Sequence, residues 1–397
     1  MVKFLLLLVS MFVVSPLYAA PHIVVDLDSG KVLSRQQAFD PWHPASLTKL
    51  MTAYSAFKAI ESGYARSDQP VRISRNAAKQ PPSRMGYRVG TTISLEDALK
   101  LLVIKSANDV AVAIAESISG SVAAFSQRMM GDAGELGMTG SSFVNPHGLH
   151  DRRQITTARD MGLLVRALHK NYPQYKSLFE TPSVMAPNRT KNGKVIQRIY
   201  YSYNLLLERY RGADGFKTGF VCASGYNYIG AATRSGRRVA AVVLGRDSQT
   251  SRAVDAAKLI TEGFQLPLQA GESLAELKPQ GALPTGPRNM RNVLCTQEAR
   301  AGRYEPGAGQ AVIESPWLLP RSIKRSPLTV KLLGRGTKLA ALRRVPRPTF
   351  RPFTPARVFV EKVSTEPTVS TKAVVSPEAV VSSAAKQVPL PTFRPNI

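Results

Sequence analysis

At 397 residues, 44% of them apolar, the chain is long enough to bury a large core and to hold more than one domain. Its 53 Lys and Arg against 27 Asp and Glu give a formal net charge of +26, which suits polyanionic partners: nucleic acid for a cytosolic protein, wall polymers or anionic lipid for an exported one. Two cysteines, Cys222 and Cys295, exclude a disulfide framework but leave one bridge open, and five histidines without HExxH or H-x-E…CxxC spacing speak against a zinc enzyme.

The first segment, MVKFLLLLVSMFVVSPLYAA, has one Lys before an apolar run closed by Ser15, Pro16, Ala19 and Ala20. It reads as a secretory signal peptide over residues 1–20 rather than a membrane anchor, because the run is shorter than the ~20 residues a spanning helix needs. Export redirects the charge from nucleic acid to the cell envelope, and a periplasmic location is expected.

Next, HIVVDLDSGKVLSRQQAF reads as two extended runs joined at Asp28-Ser29-Gly30. Pro44 then opens a helix whose Leu47, Leu50, Met51, Tyr54 and Phe57 recur at helical spacing. Ser46 and Lys49 fall at the margin of that apolar stripe, so the lysine faces a cleft. SLEDALKLLVIKSANDVAVAIAESISG reads as two helices, the first capped by Ser94, with a break at Ser106-Ala107-Asn108. A further helix, capped by Thr157, follows in TTARDMGLLVRALHK. From Gly215 the period becomes two, through GFKTGF and a hairpin at Ser235-Gly236, before the amphipathic helix TSRAVDAAKLITEGF. Hairpins at both ends with helices between them predict an α/β fold of the α+β kind, an antiparallel sheet covered by helices.

The catalytic-sized domain is expected over 21–267, and 268–397 as a basic Pro-rich tail, mostly disordered. From Arg321 to Pro352 there are ten Lys or Arg and no acid, and VPRPTFRP recurs as VPLPTFRP. Cutting the chain after Phe264 is expected to spare the chemistry, while the tail meets anionic envelope surfaces.

A serine hydroxyl needs a base before it attacks, and a lysine serves only if burial or a second cation lowers its pKa. Two unit charges ~4 Å apart repel by about 4 kcal/mol at an effective dielectric of 20, roughly three pKa units. Lys217 in GFKTGF is the candidate second cation. S-x-x-K, S-x-N and K-T-G each occur by chance. In order, as Ser46-Leu47-Thr48-Lys49, Ser106-Ala107-Asn108 and Lys217-Thr218-Gly219, they match the set of penicillin-binding proteins and class A β-lactamases.

With PASLTKLMTAY, SRMGYRVGTTISLEDALKLL, SFVNPHGLH, TARDM, DGFKTGF and ASGYN added, the stretch from His22 to Phe264 resembles the low-molecular-mass penicillin-binding proteins of the serine D-alanyl-D-alanine carboxypeptidase family. The resemblance implies a β-lactamase/transpeptidase-like fold and removal of terminal D-alanine from peptidoglycan stem peptides through an acyl-enzyme on Ser46. No cofactor or metal is required, and β-lactam antibiotics act as acylating inhibitors. By the same resemblance Lys49 is the base and Ser106 the proton relay, while Asn108 holds the substrate amide and Lys49. Lys217 supplies positive potential, Thr218 and Arg252 receive the substrate carboxylate, and the backbone N–H groups of Ser46 and of Phe220, next after Gly219, form the oxyanion hole. On helical position alone Arg252 reads as a surface residue. Phe220 and Cys222 stand where relatives often carry polar residues, and Cys222 reads as simply packed. The family's usual β-rich second domain and C-terminal amphipathic anchor are not recognisable in the tail.

Three rivals share features of this reading. A D,D-endopeptidase uses the same motifs. A β-lactamase needs a deacylating carboxylate, and Glu116, Glu135 and Glu180 lack the expected E-x-x-x-N context. A non-catalytic wall-binding protein has no need of an intact Ser46, Lys49 and Lys217.

Overall fold

Ser235 and Gly236 both adopt positive φ, +48° and +79°, the backbone that a two-residue hairpin turn demands. They join two ten-residue strands of a five-stranded sheet. The computed structural model describes residues 20–191, 194–267, 271–299, 315–320 and 323–334. All of these lie in the first of two units, Met1–Pro346; the second, Arg347–Ile397, contains none of them. Residues 1–19, most of the expected signal peptide, lie outside the described residues.

The strands are β1 (His22–Asp26), β2 (Val32–Gln36), β3 (Pro70–Arg72), β4 (Thr92–Ser94), β5 (Ser183–Lys191), β6 (Lys194–Tyr201), β7 (Ala213–Val221), β8 (Gly225–Arg234), β9 (Arg237–Arg246), β10 (Leu328–Thr329) and β11 (Leu332–Gly334). The main sheet is antiparallel, in the order β2-β1-β9-β8-β7. Side chains of β9 alternate between two cores, which is why its sequence reads as a continuous apolar run. Val239, Ala241 and Val243 pack with Ala253, Ala256, Ala257 and Ile260 of the helix Gln249–Gln265. Ala240, Val242 and Leu244 join Leu50, Met51, Phe57, Val110, Phe125 and Leu164 of the helical layer on the other face. The sheet is thus covered on both faces by helices, matching the expected architecture.

Helix starts follow the polar caps. Ser94 accepts from Asp97 N, Thr157 from Asp160 N and Ser248 from Ser251 N. The helix after Ser94 is shorter than the periodicity suggests: Leu95–Lys100 passes into a π-helical turn, Leu101–Lys105, before the next helix, Asn108–Ser119. Such a turn inserts an extra residue into the helical repeat, which re-aims whatever follows it.

The packed region continues past Pro267, the expected domain boundary. Leu274, Leu277, Leu294, Leu318 and Val330 are buried, β10 pairs in parallel with β5, and β11 pairs with β4. Arg325 donates to the carbonyls of Glu180 and Ala213, and Asp97 accepts from Lys331 N. These apolar residues are too widely spaced to generate a period, so composition alone conceals them. A disulfide, Cys222–Cys295, closes a sequence separation of 73 residues, which corrects the reading of Cys222 as simply packed. Loop closure of that length is worth about 4 kcal/mol in the chain-entropy account. Residues 335–397, which carry both VPxPTFRP segments, lie outside the described residues.

The dispensable part of the tail therefore begins later than Phe264. A chain ending at Gly334 should keep the thermal stability of the full chain within a few degrees. One ending at Phe264 loses the disulfide and five buried side chains, each worth up to about 2–3 kcal/mol for the larger apolar ones, and should melt far lower and acylate poorly. Equal melting temperatures for the two truncations would contradict this packing.

Candidate active site

Ser46 does not lie in an α-helix but in a 3₁₀ turn, Ala45–Leu47, that leads into the helix Thr48–Glu61. The tighter turn puts residues three apart almost in line. Ala45 takes φ +49°, uncommon for a residue with a Cβ and held here by its surroundings. The Asn227 side chain donates to the carbonyls of His43 and Pro44 at 2.9 and 3.2 Å, and Trp42 Nε1 donates to Ser224 O at 2.9 Å. Two glycines press on the same turn. A Cβ on Gly148, at φ +81°, would stand 1.7 Å from Ala45 O, and one on Gly219 would stand 2.9 Å from Pro44 O and 3.0 Å from Ser46 N. The glycine of K-T-G thus lets β7 approach the nucleophile's own backbone.

Lys49 is wholly buried, with Nζ 3.1 Å from Ser46 Oγ. It donates to Asn108 Oδ1 and to His147 O, each at 2.7 Å. A neutral amine has two N–H groups and one lone pair. With Asn108 and His147 taking the two donors, the lone pair is left for the Ser46 hydroxyl. Burial, followed by the charge of Lys217, holds the Lys49 pKa well below that of a free lysine, against an opposing pull from Asp109. The Asp109 carboxylate itself accepts from the backbone N–H groups of Met85, Gly86 and Val110.

The π-helical turn delivers Ser106 in a left-handed conformation, φ +60°, with its side chain buried. Two residues on, Asn108 also donates through Nδ2 to Pro81 O at 2.9 Å, which fixes its amide so that Oδ1 faces Lys49. On β7, Lys217 and Thr218 are 4% and 5% exposed. Burial, then Arg252 and Lys105, bring the Lys217 pKa down to about 7. Phe220 packs its ring on Tyr226 with centroids 4.3 Å apart.

Arg252 is 3% exposed, which overturns its reading as a surface residue. Its Nη1 donates to Gly219 O and Asn227 O at 3.2 and 3.3 Å, and its guanidinium lies 5.4 Å from the Tyr226 ring centroid. Burial lowers its pKa to about 10. It braces β7 and β8 and adds to the positive field at Lys217. The structure thus draws Ser46, Lys49 and Asn108 into one hydrogen-bonded group, with Lys217 coupled to it electrostatically and Gly219 touching its backbone.

Sequence reasoning assigned no role to His147, Gly148 or Asn227. His147 acts through its carbonyl, presented by an N-P-H-G turn in which Asn145 Oδ1 accepts from Gly148 N at 2.7 Å. Burial, then Lys49, push the His147 ring down to about 3, so it stays neutral. The signals were the strings NPHG and GYN, but main-chain acceptors leave no mark in residue chemistry.

Comparison with known proteins places the chain among D-alanyl-D-alanine carboxypeptidases and penicillin-binding proteins by similarity. D-alanyl-D-alanine carboxypeptidase DacC of Escherichia coli is 33% identical over 278 residues, covering 67% of this chain and 65% of that protein, a little under two thirds of its length. The crystal structure of the D-alanyl-D-alanine carboxypeptidase DacD from Francisella tularensis superposes with a TM-score of 0.59 at 29% identity, covering 62% of this chain and 70% of that one. Penicillin-binding protein D2 from Listeria monocytogenes, in a cefotaxime-bound form, gives 0.54 at 30% identity, covering 62% of this chain and 97% of that one. The peptidase S11 profile, D-alanyl-D-alanine carboxypeptidase, matches residues 13–248, the stretch that carries Ser46, Lys49, Ser106, Asn108 and Lys217, so the chain belongs to that family.

Proposed function

We propose that this protein is an exported serine D-alanyl-D-alanine carboxypeptidase that trims the terminal D-alanine from peptidoglycan stem pentapeptides and is acylated by β-lactams. The observation that carries the proposal is the buried Lys49 amine, 3.1 Å from Ser46 Oγ, with both its donors occupied by Asn108 and His147. Neutral Lys49 takes the Ser46 proton as Oγ bonds to the penultimate D-alanine carbonyl carbon. The oxyanion that forms is met by the N–H groups of Ser46 and Phe220; one such donor is worth about 10²–10³ in rate. Ser106 relays the proton to the departing D-alanine nitrogen, the C–N bond breaks, and water later hydrolyses the ester. Thr218, Lys217 and Arg252 supply the hydroxyl and positive field for the substrate's terminal carboxylate. The Listeria relative, solved in a cefotaxime-bound form, supports β-lactams as ligands of this protein.

The apolar leader, the disulfide and a wall substrate together support a periplasmic site of action. The basic tail adds salt-sensitive attraction to the anionic envelope.

The test is D-alanine release. The wild-type protein should release D-alanine from a stem pentapeptide, and Ser46→Ala should release none. Faster cleavage of a cross-linked muropeptide dimer than of the pentapeptide would instead favour the endopeptidase reading, while no release from either substrate would reject both.

A further inference from the structure

Lys105, immediately before Ser106, is half-buried between two aromatic rings. Its Nζ lies 5.6 Å from the ring centroid of Tyr200 and 5.9 Å from that of Tyr203. The guanidinium of Arg198 lies 5.5 Å from the same Tyr200 ring. Two cations therefore share one aromatic ring. Among the described residues neither is joined to a carboxylate: the ion pairs of this region engage other groups, and Asp109 is occupied by three backbone N–H groups. Burial and then Arg198 depress the Lys105 pKa, and the charge of Lys105 in turn bears on Lys217. Lys105, at the end of the turn that delivers Ser106, thus borders the catalytic cleft, and Arg198 lies beside it across the Tyr200 ring.

Holding a half-buried cation beside a second cation costs free energy that a glutamine or leucine at 105 would avoid. A solvated cation–π rim would account for Arg198, which is exposed, but not for Lys105. Ring faces offset part of the cost, and a carboxylate from outside the chain would offset the rest. Tyr203, 46% exposed, extends the same rim to solvent.

We infer that Lys105 and Arg198, framed by Tyr200 and Tyr203, form an anion subsite that receives a carboxylate from the acyl-side part of an acidic stem peptide. The inference rests on the carboxypeptidase reading and names which substrates it prefers. Extended peptide advances ~3.3 Å per residue, so a carboxylate one or two residues upstream of the scissile bond falls outside the Ser46–Lys217 centre and on its rim. The subsite is distinct from the terminal-carboxylate position: it reads the peptide beyond the two D-alanines.

The experiment measures protection of Ser46 from a fluorescent penicillin, which needs no turnover. Two competitors ending in D-Ala-D-Ala are used, one with free upstream carboxylates and one with those groups amidated. Wild-type protein should need about tenfold less of the acidic peptide for half protection. Lys105→Gln and Arg198→Gln should each reduce that preference about threefold, and the double variant should abolish it. The readout is the ratio of the two peptides within one variant, so a changed acylation rate cancels. Raising the salt should erode the wild-type preference and leave the double variant flat. A preference that survives the double substitution, equal protection by both peptides in wild type, or protection by neither, overturns the subsite. Failure of the carboxypeptidase reading has a different signature, namely intact selective protection with no D-alanine released.

Discussion

Lys49→Ala should slow penicillin acylation of Ser46 by about 10³-fold, because a positioned general base contributes about 10²–10⁴ and, among the described residues, no second amine hydrogen-bonds to the hydroxyl. Lys217→Gln should act differently. Removing its charge relieves the repulsion that disfavours protonated Lys49, so the Lys49 pKa rises and the ascending limb of the acylation profile moves to higher pH. The shift should be partial, because burial is the larger cause of the depression and remains. In the wild type the Lys217 charge is present below about pH 7 and lost above it, so acylation should fall again as that group titrates. Lys217→Gln should remove this descending limb. Acylation rates measured from about pH 5 to about pH 10 decide the matter, and an unchanged profile in Lys217→Gln rejects the electrostatic role.

The second large effect is persistence of the penicilloyl-enzyme. Rapid deacylation needs a carboxylate beside the ester to activate water. Asp109, the carboxylate that acts on Lys49, is bound by Met85, Gly86 and Val110 N–H groups. Glu116 accepts from Asn76, Glu135 pairs with Lys58, and Glu180 lies 4.0 Å from Lys176. The acyl-enzyme should therefore outlast a β-lactamase intermediate by orders of magnitude. Intact mass followed over hours after excess drug is removed should show the adduct still attached. Prompt return of the free mass with continuing drug consumption would point to a β-lactamase instead.

Much of this site was legible because side-chain chemistry announces itself. Ser46 and Lys49 at spacing three, the Ser106-Ala107-Asn108 break and Lys217-Thr218-Gly219 on a strand could be placed from local pattern alone. The β8–β9 hairpin was equally visible, since Ser235-Gly236 separates two strand-like runs. What escaped was long-range and carried by main chain. The His147 carbonyl reaches Lys49 across 98 positions, and Cys222 meets Cys295 across 73. Helical position alone puts Arg252 at the surface because one helical face cannot show which other elements cover it. The packed segments 271–299, 315–320 and 323–334 were missed because isolated buried residues such as Leu274, Leu294 and Val330 have no period. The 3₁₀ turn at Ala45–Leu47 was read as ordinary helix, because its cause lies in Asn227, Gly148 and Gly219, far along the chain.

The most direct test of the account is the position of the covalent adduct. Protein acylated with penicillin, digested and sequenced by tandem mass spectrometry, should carry the penicilloyl mass on the peptide containing Pro44 to Met51, at Ser46, and Ser46→Ala should carry none. An adduct on Ser106 or any other residue, or undiminished labelling of Ser46→Ala, would contradict the assignment of Ser46 as the nucleophile that Lys49 activates.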